Sequence, residues 1–281
     1  SFRRFSFVGA RNHLPGGVDL SSLSAGALMR RFFLPPANMA NEEITLSSEI
    51  LHHLGAVLRL SAGEEIVLLD GLGNLCRCRI ESLDRRSGKA RVLHRWREEE
   101  SALPVCLLQA LPKGDKMDLV LQKGTELGVS IFIPVLAGRS ISRPGTGEEK
   151  RQLRWERIVR EAARQCRRPC LPHLTSPLPL PQALSECNAD LRLMLWEEES
   201  RPLAGALPAA APRQAAILVG PEGGFSSQEA ELARRAGFLP VRIGPRILRT
   251  ETAGFAVASI LQYLYGDLGP CSKAHPCKEM P

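Results

Sequence analysis

Aromatic residues make up only 5% of the 281 positions, so a surface of stacked rings for nucleic-acid bases is not the leading expectation. No run approaches the roughly 18 consecutive apolar residues of a bilayer span, and a soluble protein is expected. Eight cysteines are present without a single CxxC pair. Finger-type zinc sites and disulfide frameworks need regular spacings that are missing here. Cys76 and Cys78 alternate on a strand-like segment, Cys106 and Cys166 sit in apolar stripes, and Cys271 and Cys277 flank His275 in a polar tail. Reduced thiols in a cytoplasmic protein without metal account for them. Two nucleotide loops are missing as well. The glycine-rich turn at Gly220 lacks the Gly-Lys-Ser/Thr of a phosphate loop, and Gly71-Leu72-Gly73 has Cys76 where a third glycine should stand. Lys113-Gly114 supplies no dinucleotide fingerprint either, which removes a nicotinamide dehydrogenase.

What is present is a folded composition, 44% hydrophobic and 24% charged, at a length that suits one large domain or two ordinary ones. The net charge of +7 is concentrated: from Arg139 to Arg168 ten Lys/Arg face four Glu. A localised basic face suits a polyanion, although a solvated helix face has the same composition.

Residues 1–28 hold Arg3, Arg4 and Arg11 against Asp19 and show no periodicity. They read as an extension, disordered or arising from a start assigned too far upstream, because Met29 immediately precedes the first patterned segment. From there to Arg97 short strands alternate with turns, as in Glu65 to Asp70, Gly71 to Asn74 and Leu75 to Ile80, and one short helix spans Ser47 to Leu58. This predicts a small β-barrel over residues 29–97. The run Arg97 to Ser101 is a charged junction. Residues 102–268 then alternate apolar strands with helices, which predicts an α/β domain on a parallel sheet, and 269–281 form a tail. The expected strands are Val105 to Leu111, Val129 to Leu136, Leu191 to Trp196, Ala216 to Val219 and Val241 to Gly244. Helices are expected from Asp115 to Leu127, across the basic region, from Ser227, and finally to about Tyr265. In the basic helix Trp155, Ile158, Val159, Ala162, Ala163 and Cys166 share one face. Arg157, Arg160, Arg164 and Arg168 fall largely outside it.

Two loops lie where parallel sheets bind ligands, at the carboxyl ends of strands. In Gly220-Pro221-Glu222-Gly223-Gly224 the glycines allow close backbone approach, and Ser226 with Glu229 has capping-box spacing for the following helix. A tight structural turn would look similar. In Gly244-Pro245-Arg246-Ile247-Leu248-Arg249-Thr250-Glu251-Thr252 either threonine could cap the last helix. Capping leaves Arg249 and Glu251 unexplained, so a binding or catalytic role is expected of them.

The segments LPKGDKMDLVLQKGTELGVS (Leu111 to Ser130), EAARQCRR (Glu161 to Arg168), LVGPEGGFS (Leu218 to Ser226) and IGPRILRTETA (Ile243 to Ala253) closely resemble, in order and spacing, the RsmE family. RRFFLP at Arg30 resembles that family's opening, and the resemblance runs from Met29 to Gly269. These are bacterial 16S ribosomal RNA uridine-N3 methyltransferases of the SPOUT superfamily. The resemblance implies a PUA-like RNA-binding barrel followed by a trefoil-knotted α/β domain, acting as a homodimer on 16S ribosomal RNA or the small ribosomal subunit. It implies S-adenosyl-L-methionine held by Leu195 and Trp196, by Gly220, Pro221, Glu222 and Gly223, and by Ile243, Gly244, Leu248 and Thr250. Arg249 would stabilise the uridine anion, while Glu251 would take the N3 proton or orient Arg249. RNA contacts are expected from Arg30, Arg31, Lys113, Arg157, Arg164, Gln165 and Arg168. Arg164 and Arg167 depart from the family's usual acidic residue and glycine, adding positive charge. The two loops alone would also permit methylation of another RNA; the barrel and the KGDKMD segment argue for ribosomal RNA. A non-catalytic assembly factor would be expected to have lost glycines or Arg249.

Overall fold

In the computed structural model, which describes residues 30–84, 86–140, 147–198 and 201–269, five strands form the first sheet. They are β1 (Arg31–Phe33), β2 (Glu43–Thr45), β3 (Glu65–Leu69), β4 (Asn74–Leu83) and β5 (Gly88–Arg97), in spatial order β1-β3-β4-β5-β2. The β3–β4 hairpin turns where glycines and Asn74 stand, because Asp70 Oδ1 accepts from the N–H groups of Leu72 and Asn74 at 2.7 and 3.0 Å. On β4, Cys76, Cys78 and Ile80 point inward while Arg77 and Arg79 point outward, so these thiols act as small core hydrophobes. The expected helix is shorter than its pattern. Helix α1 (Ser48–His52) is capped by the Ser47 side chain and widens into a π-helical turn, His53–Val57. Residues 1–28 and the Cys271, His275 and Cys277 tail lie outside the described residues, whose six cysteines are all free.

The second sheet starts with β6 (Val105–Ala110), helix α2 (Lys116–Glu126) and β7 (Val129–Leu136), followed by the basic helix α3 (Glu148–Gln165). Three elements follow in a proline-rich stretch where the sequence pattern gave no expectation: β8 (His173–Leu174), β9 (Leu178–Pro179) and α4 (Leu180–Glu186). Then come β10 (Leu191–Leu195), β11 (Ala215–Val219), α5 (Ser227–Arg235), β12 (Leu239–Val241) and α6 (Thr250–Tyr265). The order is β12-β10-β11-β6-β7-β8, with β9 also on β7, and every pairing is parallel. Both faces of a parallel sheet must be covered. On one face Leu107, Leu193 and Ile217 meet Val120 of α2 and Val257 and Leu261 of α6; on the other, Leu108, Met194 and Leu218 meet Ala183 of α4 and Ala230 of α5. Gly254 lets α6 lie close, since a Cβ there would stand 3.3 Å from Leu107 Cδ1.

Where β12 was expected over Val241 to Gly244 it ends at Val241, because its partner β10 ends opposite at Leu195. The chain then leaves the sheet as a loop. That loop leads to α6, which packs on β11 and β6.

The two sheets meet through an apolar patch in which Phe33, Val67, Leu69 and Leu75 pack on Ala163 of α3. Arg31 bridges the same seam, donating to Glu98 at 3.2 Å and to the carbonyl of Arg167 at 3.2 Å.

Candidate active site

The carboxyl ends of β10, β11 and β12 open onto a cavity of about 660 Å³, within the roughly 300 to 1,000 Å³ of small-ligand sites. Its walls are Leu195, Trp196 and Glu197 after β10, Val219 to Glu222 with Gly224 after β11, and Val241 to Thr250 after β12. Three chain segments converge because parallel strands all end at the same edge, and each is followed by a turn rather than by more sheet.

The turn after β11 is set by its glycines and by the helix behind it. Ser226 Oγ accepts from the Glu229 N–H at 3.2 Å, while Glu229 Oε2 accepts from the Ser226 N–H at 2.8 Å, the reciprocal cap that the spacing predicted. Gly224 is the demanding position: its φ is +67°, and a Cβ would stand 2.6 Å from Glu197 Oε1. Gly223, expected among the cofactor-binding residues, is not on the cavity wall. It is exposed, and its carbonyl accepts from Arg139 at 2.7 Å, turning it toward the loop after β7.

The start of α6 locks the two loops together. Thr250 was expected as a possible helix cap; instead its hydroxyl donates to the Gly220 carbonyl at 2.5 Å and accepts from Gln109 Nε2 at 2.9 Å. The N-cap position is Arg249, which makes no side-chain cap. Gln109 is fully buried on β6. Its only sequence signal is one polar residue inside an apolar strand.

Arg249 lies exposed on the cavity wall, and its guanidinium makes no hydrogen bond or ion pair with the described residues. Glu251, two residues on, is buried and off the wall. The expectation that it orients Arg249 is not met: its Oε2 lies 3.6 Å from Lys116 Nζ. Lys116, on the wall at the start of α2, also donates to Glu222 Oε1 at 2.8 Å. Burial pushes the Glu222 carboxyl up, but Lys116 and backbone N–H groups, including that of Lys113, more than offset it and leave it below its ordinary value. The same contact raises the Lys116 ammonium. Lys116 stands inside the KGDKMD segment, which had pointed only to Lys113.

A methyl-donor cofactor of nucleoside and sulfonium character fits these walls. Leu195, Val219, Leu248 and Ala253 offer apolar surface, and the glycine loops expose backbone. The buried Trp196 Nε1 has no partner among the described residues and is available to an acceptor.

The expected RNA contacts divide. Arg30, Lys113, Arg157 and Gln165 are exposed. Arg157, Arg164 and Gln165 line a groove of about 650 Å³ between α2 and α3, where Arg164 pairs with Glu161 at 2.6 Å. Arg31 is committed to the domain seam. Arg168 is a correction: it is buried, pairs with Glu100 at 3.2 Å, and donates to the carbonyls of Thr125 and Val129 at 2.9 and 2.7 Å. Thr125 stands in the last turn of α2 and Val129 opens β7, so Arg168 works as a buried structural tie between the two elements.

Residues 99–262 match the RNA methyltransferase domain family and residues 46–93 the RNA methyltransferase PUA domain family. The Ribosomal RNA small subunit methyltransferase E of Mycobacterium tuberculosis is 36% identical over 206 residues, covering 72% of this chain and 79% of its own length. That of Bacillus subtilis is 32% identical over 248 residues, covering 84% and 96%. The Neisseria gonorrhoeae protein of the same name, crystallised with S-adenosyl methionine, superposes with a TM-score of 0.77 at 36% identity, over 85% of this chain and 99% of that one. A Legionella pneumophila methyltransferase in complex with the cofactor SAM gives 0.79 at 34%, with the same coverage. The RNA methyltransferase domain and the preceding PUA domain are thus matched over most of the chain, which belongs to the ribosomal RNA small subunit methyltransferase E family.

Proposed function

We propose that this chain transfers a methyl group from S-adenosyl-L-methionine to N3 of a uridine in small-subunit ribosomal RNA. The observation that carries the reading is Arg249, an unpaired guanidinium on the wall of the cofactor cavity. The cofactor, when bound, supplies a methyl group made electrophilic by its sulfonium. Leu195, Trp196, Gly220, Pro221, Gly224, Ile243, Gly244, Leu248 and Thr250 hold it, mostly through backbone and apolar contact.

Uridine N3 carries a proton at neutral pH and sits on the pairing edge, so the base must be unpaired and the proton lost before or during attack. The negative charge that develops spreads onto O2 and O4, where Arg249 stabilises it. Glu222 is engaged by Lys116, which holds its carboxyl below its ordinary value and makes it a weak base, and Glu251 lies off the wall beside the same ammonium. The proton therefore passes to solvent, and the enzyme accelerates transfer chiefly by charge stabilisation and alignment. RNA is held by Arg30, Lys113, Arg157 and Gln165, on surfaces of both domains. A trefoil knot is what the family resemblance implies for the loop between β12 and α6. A homodimer is supported by exposed apolar groups near the site and on α6, among them Ile247 at 87% and Tyr263 at 57%.

The test is mass mapping of small subunits incubated with the pure protein and cofactor. One added methyl on a uridine N3 is expected. A methyl on carbon, on ribose or on another RNA overturns the assignment of the acceptor.

A further inference from the structure

The cavity holds more charge than the reaction uses. Lys116, Arg242, Arg246, Arg249, Glu197 and Glu222 line it, with Glu251 just behind. An arginine beside ionised carboxylates normally pairs with them in a fork, and such a pair would take Arg249 away from the base. Glu251 follows Arg249 by two residues, and Glu222 shares its cavity. Yet both carboxylates lie on Lys116 Nζ, at 2.8 Å from Glu222 Oε1 and 3.6 Å from Glu251 Oε2. One ammonium on α2 thus occupies a carboxylate from the loop after β11 and one from the first turn of α6.

We propose that Lys116 is a positioning residue for methyl transfer: it sequesters Glu222 and Glu251 so that Arg249 stays free for the acceptor base. This rests on the methyltransferase reading above and deepens it. Glu251 Oε2 makes no hydrogen bond and is buried, so it depends on the nearby ammonium for compensation. Arg154 on α3 is engaged by Asp118 and, at 3.6 Å, by Asp115. With Lys116 removed, Arg249 shares the cavity wall with Glu222 and precedes Glu251 by two residues, so both carboxylates can compete for it.

The two residues are tested as a double-mutant cycle on the full chain, following total labelled methyl transferred to small subunits in a single turnover. Lys116→Met should slow transfer by about tenfold or more, a part of what losing one donor to a developing anion costs. Lys116→Arg should retain most of the rate. The Lys116→Met, Arg249→Ala double variant should be no slower than Arg249→Ala alone, because the lysine acts through the arginine. Cofactor affinity by calorimetry and melting temperature, measured on each variant and on Lys116→Gln, separate this from lost folding or lost cofactor binding. Independent, multiplying losses in the double variant, or an unchanged rate in Lys116→Met, overturns the proposal. The cycle is read on total label and the acceptor atom is mapped separately, so a wrong acceptor and a wrong role for Lys116 give different results.

Discussion

Two arginine-rich segments have opposite fates in this fold. At the end of α3, Arg164 is paired with Glu161 and Arg168 is buried under α2, while in the loop before α6 Arg242, Arg246 and Arg249 remain exposed on a cavity wall. Both segments are basic in sequence. The difference lies in what surrounds them: buried carbonyls of Thr125 and Val129 take Arg168 and α3 supplies its own glutamate, whereas two of the loop's neighbouring carboxylates, Glu222 and Glu251, are already held by Lys116. An arginine density therefore marks an RNA surface only after the side chains used by the structure have been subtracted.

The largest effect that would break this contrast is expected at Arg168. Arg168→Ala removes two buried hydrogen bonds and the cation beside Glu100, and should cost about 3 kcal/mol or more of stability, read from the urea midpoint. A stable, folded variant with weakened RNA binding would reverse the assignment. Arg249→Ala should do the opposite, leaving the melting temperature in place and slowing single-turnover methyl transfer by roughly a hundredfold. Raising the pH should partly restore that rate, since the uridine then ionises with less help. Between these extremes lies the exposed face of α3. Arg157→Glu should lower the salt dependence of RNA binding by about one phosphate contact or more. Arg164→Glu should do less, because its charge is already shared with Glu161.

The smallest expected effect concerns the carboxylates committed elsewhere. Burial raises the Glu229 carboxyl, but the N–H groups of Gly138 and Ser226 bind its charged form and hold it below its ordinary 4.5. A depressed carboxylate contributes stability above its ordinary value and loses it as the pH falls through the folded value. Glu229→Gln should therefore show a shallower loss of melting temperature between neutral pH and about pH 3 than the parent protein. An equally steep loss would place the acid-sensitive groups elsewhere.

Local patterns determined much of this protein. The bounds of β7 at Val129 and Leu136, the cap at Ser226 and the end of α6 at Tyr265 follow from periodicity and capping, which depend on neighbours within a few residues. The cavity loops were legible because glycines and paired charges at strand ends need a reason that packing does not supply. Other features depend on partners far along the chain. The two-residue strands β8 and β9 exist because β7 offers them an edge, and no pattern of two residues can announce that. Thr250 bonds Gly220 rather than capping its helix because β11 ends beside it, and Gln109 reaches the site because β6 runs alongside. Arg168 and Arg249 have the same side chain in similarly basic company. Only the tertiary structure decided that one meets the carbonyls of Thr125 and Val129 and is buried, while the other, with Glu222 and Glu251 held by Lys116, faces the cavity with its charge unspent.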